Sequence, residues 1–463
     1  MASNDLTTAP IPGLIRRMAI PVSIGFFFNT MYNVVDTFFA GRFSTSALAA
    51  LSYSFPVFFV LIAMGSGFST GATALIGQAL GRDDRREAAL VGSQGIILGA
   101  LLTAVIMVAG YLAAPGLFGI LGAKGEALDL AVEYINMILA GTAFVLTFYM
   151  FNGILNATGD TRPFRDYLIV ATVVNIGLDP WFMYGGFGVP AMGVQGIALA
   201  TVLAQSGGVF YLGWRARQTG LLFRSEGAQW RPHGPTLRAI AGQGIPASLN
   251  MMSVALGIFI ITKFLSGFGE QTVAAYGAAT RIEQIVLLPA IGLNVAALTL
   301  SAQNGGAGRY DRVRTAIRTA LGYGAVVMAL GTALVFFGAH ALMDVFTDDA
   351  EVIAIGAHYL RIAAFIQYAY VIMFVNTSAL QGLKLPSFAL WIGLYRQIVA
   401  PVVLFWLATR VWNLGLDGIW WSIFGITWSA AIVAVIFAQQ RVGKLEAEYP
   451  SGAPTADVEP DLA

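Results

Sequence analysis

From Ala88 to Gly116 the chain carries no charged side chain at all. About 20 apolar residues suffice to cross a hydrocarbon core of roughly 30 Å. A run this long and this bare is predicted to span a bilayer, and it is not alone. Apolar runs bounded by charge, Gly/Pro clusters or Asn/Asp turns place spans near 14–40, 48–76, 89–114, 127–156, 164–186 and 190–214. A second set follows near 237–264, 272–302, 316–341, 352–382, 388–410 and 417–441. The fold class expected is therefore an all-α integral membrane protein of twelve transmembrane helices. Arg16 and Arg17 precede a run reaching Ala40, too long for the 7–15-residue apolar region of a cleaved signal peptide.

Composition agrees, with 57% hydrophobic and 11% charged residues, far from the balance of a soluble domain. A net charge of +1 supplies no basic field for nucleic acid, and the absence of cysteine excludes disulfides and thiolate metal sites. His233, His340 and His358 show no ligand-like spacing. No Walker-type glycine loop is present, so ATP is not the expected energy source.

A repeat organises the spans. IPVSIGFFFN (20–29) lies beside IPASLNMMSV (245–254), so Pro21 meets Pro246 at an offset of 225. At nearby offsets GRDDR (81–85) meets GRYDR (308–312), Asn152 meets Asn376, and GVQGI (193–197) meets GLDGI (415–419). A duplicated unit with an even number of spans enters the membrane twice in the same orientation, giving parallel halves. Two pseudo-symmetric six-helix bundles are expected: a cytoplasmic N-terminus (1–13), an N-terminal lobe (14–214), a cytoplasmic linker (215–236), a C-terminal lobe (237–441) and a disordered cytoplasmic tail (442–463). Sorting Arg and Lys by side of these spans puts 19 on the side of the termini and 3, Arg42, Lys124 and Arg410, on the other. The positive-inside rule then makes both termini cytoplasmic. In a bacterium that means the inner membrane.

Charge at the bilayer centre costs about 2.5–3.5 kcal/mol on insertion scales, so an intramembrane acid needs a reason to be there. Asn29, Tyr32, Asn33 and Asp36 recur every three or four residues and form a polar stripe on the first span. Asn175 and Asp179, four apart, share a face of the fifth, and Thr201 in the sixth reaches a comparable depth. Two carboxylates, an amide and a hydroxyl suit a small hard cation, and a carboxyl group held out of water suits proton exchange equally. The plainer readings are a stabilising buried acid at Asp36 and a turn cap at Asp179, which precedes Pro180. Arg281 and Glu283 divide evenly between structural pairing and function, whereas Arg361 and Arg396 read as snorkelling or helix-end partners.

The runs NVVDTFFAGRFSTSALAAL (33–51), GQALGRDD (77–84), NATGDTRPF (156–164), NIGLDPWF (175–182) and GVQGIALAT (193–201) resemble the multidrug and toxic compound extrusion transporters. The likeness extends from about Ile11 to Arg441. It implies a secondary antiporter, not an enzyme, that expels organic cations and other amphipathic compounds by alternating access in exchange for H⁺ or Na⁺, with no cofactor. It also implies coupling roles for Asp36, Asn175, Asp179, Thr201 and Asn152, with Na⁺ accommodated by the first four. Tyr32 and Tyr134 match lobe-lining positions, joined by Asn29 and Asn33 of the stripe, and Pro21 matches a gating bend. Spans seven and ten carry no acid between 248 and 264 or between 353 and 382, a pattern similar to the DinF-like branch. A monomer is expected, with small amphipathic or cationic drugs and membrane lipid as partners. The alternatives are a lipid-linked precursor flippase of the same superfamily, an intramembrane enzyme and a passive channel.

Overall fold

A computed structural model describes residues 6–222 and 229–449. The first half of the chain forms α1 (Ile11–Phe43), α2 (Thr45–Gly81), α3 (Arg85–Ile120), α4 (Glu126–Ala140), α5 (Thr142–Ala157), α6 (Arg162–Tyr184) and α7 (Val194–Gln218). The second half forms α8 (Gly234–Leu265), α9 (Glu270–Val286), α10 (Leu288–Gly306), α11 (Tyr310–Asp344), α12 (Ala350–Ala363), α13 (Gln367–Gly382), α14 (Pro386–Leu394), α15 (Ala400–Trp406) and α16 (Gly415–Glu448). No strand occurs among the described residues, only a single bridge between Gly186 and Val189.

Among the described residues ten stretches are long and apolar enough to cross a membrane, and the bent pairs α4–α5 and α9–α10, each taken as one span, bring the number to twelve. The two breaks have different causes. Between α9 and α10, bent by 48°, Pro289 offers no N–H to the carbonyl of Ile285 and its ring crowds that carbonyl. Between α4 and α5, bent by 50°, the chain breaks at Gly141, where a side chain would collide with Val202. The eleventh span, residues 386–411, carries two π-helical turns, Tyr395–Val399 and Leu407–Val411.

By contact the chain sorts into two units, and the boundary runs through helices rather than through the linker. One unit takes residues up to Ser23, Gly81–Asp83 and residues from Leu249 onward; the other takes Ile24–Leu80 and Asp84–Ser248. The crossing falls two residues after Pro21 in α1 and two after its repeat mate Pro246 in α8. The first helix of each repeat therefore lends its opening turns to the unit built mainly from the other repeat.

Packing shows why. In one unit Ile11, Leu14, Ile15 and Met18 are buried in a core with Leu293, Ala297, Val313 and Val371. In the other, Ile240 of α8 joins Phe68, Ile76, Phe151 and Leu168. Helix backbones approach closely at Gly292, whose added Cβ would meet the carbonyl of Ala19 and the hydroxyl of Ser23. The repeat-related Gly67 would meet Ser248 in the same way. Small residues at such crossings let helices pack where no hydrophobic force drives them together.

The segments preceding these two helices are each clasped by a polar side chain. Arg312 of α11 donates to the carbonyl oxygens of Ala9 (2.6 Å) and Leu6 (3.3 Å) and to Asn304 Oδ1. Gln94 of α3 donates to the carbonyls of Gln229 and Arg231 and accepts from the His233 amide at 2.8 Å. Each clasp satisfies backbone groups ahead of a helix start.

The stretch 442–463, expected to be disordered, begins as helix. The last helix runs to Glu448, Val442 is buried, and Arg314 pairs with Glu446 at 2.6 Å. The rest of the expected tail, residues 450–463, lies outside the described residues, as do 223–228 of the expected linker and 1–5 of the expected N-terminus.

Candidate functional site

Three helices of one unit bring the site together. The second half of α1 carries Asp36, α6 carries Asn175 and Asp179, and α7 carries Thr201. All four are buried, with relative exposures of 6%, 0%, 0% and 4% in that order. The helical repeat of α6 sets Asn175 one turn before Asp179, and the Asn175 amide donates to Asp179 Oδ1 at 2.7 Å. Thr172, one turn earlier on α6, donates to the carbonyl of Phe28 at 2.9 Å and ties α6 to α1. Tyr32 donates to the Thr201 hydroxyl at 3.3 Å, joining α1 to α7. The side-chain neighbours of Asp36 are Asp179, Asn175 and Thr201.

Donors are too few for the oxygens collected here. Asp36 Oδ1, Asn175 Oδ1 and Asp179 Oδ2 are each buried with no hydrogen-bond partner. Two carboxylates together out of water repel one another, and a bound proton or cation relieves that repulsion. Orphaned oxygens on two acids and an amide, beside a hydroxyl, fit a proton or a small hard cation. No cluster of three or more His, Cys, Asp or Glu residues occurs among the described residues.

The polar stripe divides. At about 100° per residue, Tyr32 and Asn33 point in different directions, so Tyr32 and Asp36 turn into the unit while Asn33 is exposed and donates to the Asn29 carbonyl. Asn29 is half-buried. Asp179 does not cap a turn: α6 continues through Pro180 to Tyr184. Tyr134 of α4 is buried beside both acids. Asn152 is buried with its Oδ1 unpartnered, but near the Ala157 end of α5. The turn to α6 follows that end, whereas Asp179 lies near the far end of α6, so Asn152 stands apart from the acid pair. Pro21 belongs to the other unit, at the crossing described above.

The second repeat has no equivalent acid, because Ile261 stands opposite Asp36. It buries a different one. Glu283 of α9 is inside its unit and accepts from Tyr359 at 3.1 Å, while Arg281, 200° around the helix, is exposed. Arg361 is exposed as well. The burial of Glu283 had only a faint signal in the sequence, a charged residue in an otherwise apolar stretch.

Duplicated bundles of membrane-spanning helices, with polar groups gathered deep inside one of them, define a polytopic membrane transporter rather than an enzyme. The MatE family model matches residues 21–181 and again 246–407, the second match opening where Pro246 faces Pro21, and the chain belongs to this family of multidrug efflux transporters. It is 28% identical to the probable multidrug resistance protein YoeA of Bacillus subtilis, with 76% of this chain and 77% of that protein covered. It is 27% identical to an FAD transporter of Shewanella oneidensis, covering 86% and 88%. Among solved structures, a MOP superfamily transporter from Pyrococcus furiosus superposes with a TM-score of 0.89 at 26% identity, covering 96% of this chain and 99% of that one.

Proposed function

We propose that the protein is an antiporter that exports amphipathic or cationic compounds from the cytoplasm in exchange for H⁺ or Na⁺, by alternating access. The observation that carries this reading is the buried pair Asp36 and Asp179 beside Asn175, with one oxygen of each lacking a donor. A cation entering from outside removes one of the pair's two negative charges and with it their mutual repulsion, and its release to the cytoplasm restores both. Asn175 and Thr201 complete the ligand set, and Na⁺ is the ion if all four supply oxygens. Asn29, Tyr32, Asn33 and Tyr134 line the drug path, Asn152 assists the coupling network from its own depth in α5, and Pro21 lets α1 bend as the pair changes charge. The lack of an acid between 248 and 264 and between 353 and 382 supports a DinF-like pattern, with coupling in the N-terminal lobe.

One charge moved through 100 mV yields about 2.3 kcal/mol, enough for roughly fiftyfold accumulation when fully coupled. The orientation proposed is cytoplasmic termini in a plasma membrane, with the monomer as the working unit and lipid around it.

The test is uptake of a fluorescent organic cation by inverted membrane vesicles under a pH gradient or a Na⁺ gradient, applied one at a time. Uptake that follows one gradient and vanishes in Asp36→Asn supports the reading and names the ion. Uptake indifferent to both gradients, or equal in the variant, overturns it.

A further inference from the structure

The unit that lacks Asp36 contains a cavity of about 190 Å³ whose lining residues all fall between Val254 and Thr427. Two oppositely charged side chains reach it from separate helices, Glu283 from α9 and Arg396 from the π-helical turn Tyr395–Val399. Glu283 is 6% exposed and accepts from Tyr359 at 3.1 Å and, more weakly, from Gln367 at 3.5 Å. A carboxylate has about four lone-pair sites, so acceptor capacity remains. The Arg396 guanidinium lies over the Tyr370 ring, 4.6 Å from its centroid, and its Nε is buried without an acceptor. Glu283 and Arg396 are not joined in an ion pair among the described residues.

Charges inside a membrane protein mark ligand paths, and leaving them unjoined forgoes the compensation that a direct pair supplies. The π turn widens the helix at Arg396, a distortion that recurs at functional sites. Tyr276, Tyr359, Tyr370, Phe374 and Phe405 supply aromatic walls. At about 190 Å³ the space is below the roughly 300–1,000 Å³ of drug-sized pockets and suits one ring or two fused rings.

We propose that this cavity binds a small aromatic zwitterion, its ammonium on Glu283, its carboxylate on Arg396 and its ring between the tyrosines. A simple cation would leave Arg396 unpaired and sit close to its charge; a simple anion would do the same at Glu283. Only a ligand carrying both charges completes both groups. The site is independent of the coupling reading, because it contains neither Asp36 nor Asp179.

The experiment is calorimetric titration of the purified full-length protein with three probes: L-tryptophan, tryptamine, which lacks the carboxylate, and indole-3-propionate, which lacks the ammonium. Tryptophan should bind at least tenfold more tightly than either analogue. Glu283→Gln should erase the preference over indole-3-propionate, and Arg396→Gln the preference over tryptamine. Thr280→Phe, which fills the cavity, should abolish binding while the protein remains monodisperse on gel filtration, and Asp36→Asn should bind tryptophan unchanged. No binding of tryptophan, equal binding of the three probes, or a preference that survives both charge substitutions overturns the proposal. If a variant fails to fold, the three-probe comparison on the wild type decides alone.

Discussion

Asp36 and Asp179 are a cost to the folded protein rather than a support for it, since each buries a carboxyl oxygen with no donor. A stabilising buried acid would show the opposite, with its lone pairs met by backbone amides or a basic neighbour. Replacing Asp179 by Asn keeps the shape and removes the charge, so purified Asp179→Asn should melt no lower in detergent than the wild type. A fall of several degrees would show that the pair is structural. Asn175 differs, because its amide holds Asp179 Oδ1 at 2.7 Å. Hydrogen bonds to charged groups contribute about 1.5–3 kcal/mol, and Asn175→Ala should destabilise the protein by an amount of that order in a denaturation series.

The broken spans are local chemistry written into helices. Pro289 removes a donor and crowds the preceding turn, and α9 and α10 meet at 48°. With Pro289→Ala the missing hydrogen bond can form. Because the chain has no cysteine, spin labels on single cysteines introduced near Gln271 and Asn304 report the bend directly. The label separation should lengthen in Pro289→Ala; an unchanged distance would assign the bend to packing against neighbours. The apolar patterning found each of the twelve spans, with ends within seven residues of the helix ends, because membrane helices must satisfy their backbone internally and so announce themselves by length. A proline inside a long run, as at Pro289, marks a kink in the sequence, but nothing there foretold the break at Gly141, and the patterning ended the last span at 441, where burial of Val442 and contacts from Leu445 and Tyr449 carry the helix on.

Across the whole molecule, duplication places equivalent strains at equivalent points. Gly67 and Gly292 each face a helix within two residues of a repeat-related proline, with no room for a Cβ. Gly67→Val and Gly292→Val should each cost about 1–3 kcal/mol, the usual effect of overpacking, and lower the melting temperature by similar amounts. A large effect at one and none at the other would mean that the repeat is not a structural one. Orientation is tested on the same cysteine-free background. A membrane-impermeant maleimide applied to intact cells should label Lys124→Cys and leave Arg82→Cys unlabelled, and the reverse pattern would invert the assigned topology.

Length and polarity alone determined the membrane fold and the number of spans, because these depend on what each segment does in a bilayer by itself, and matched residues at a near-constant offset, such as Pro21 and Pro246, determined the twofold repeat. Spacing along single helices likewise determined that Asn175 and Asp179 share a face. Which faces meet depended on how helices from distant parts of the chain pack. Only the tertiary structure could bring Asp36 to Asp179 and turn Asn33 away from them. Only it could carry the opening turns of α1 and α8 into the unit of the other repeat, and place Glu283 and Arg396 in one cavity. Contacts between residues more than a hundred positions apart leave no periodic trace in a sequence, since periodicity records only the partners within a helix's own turns.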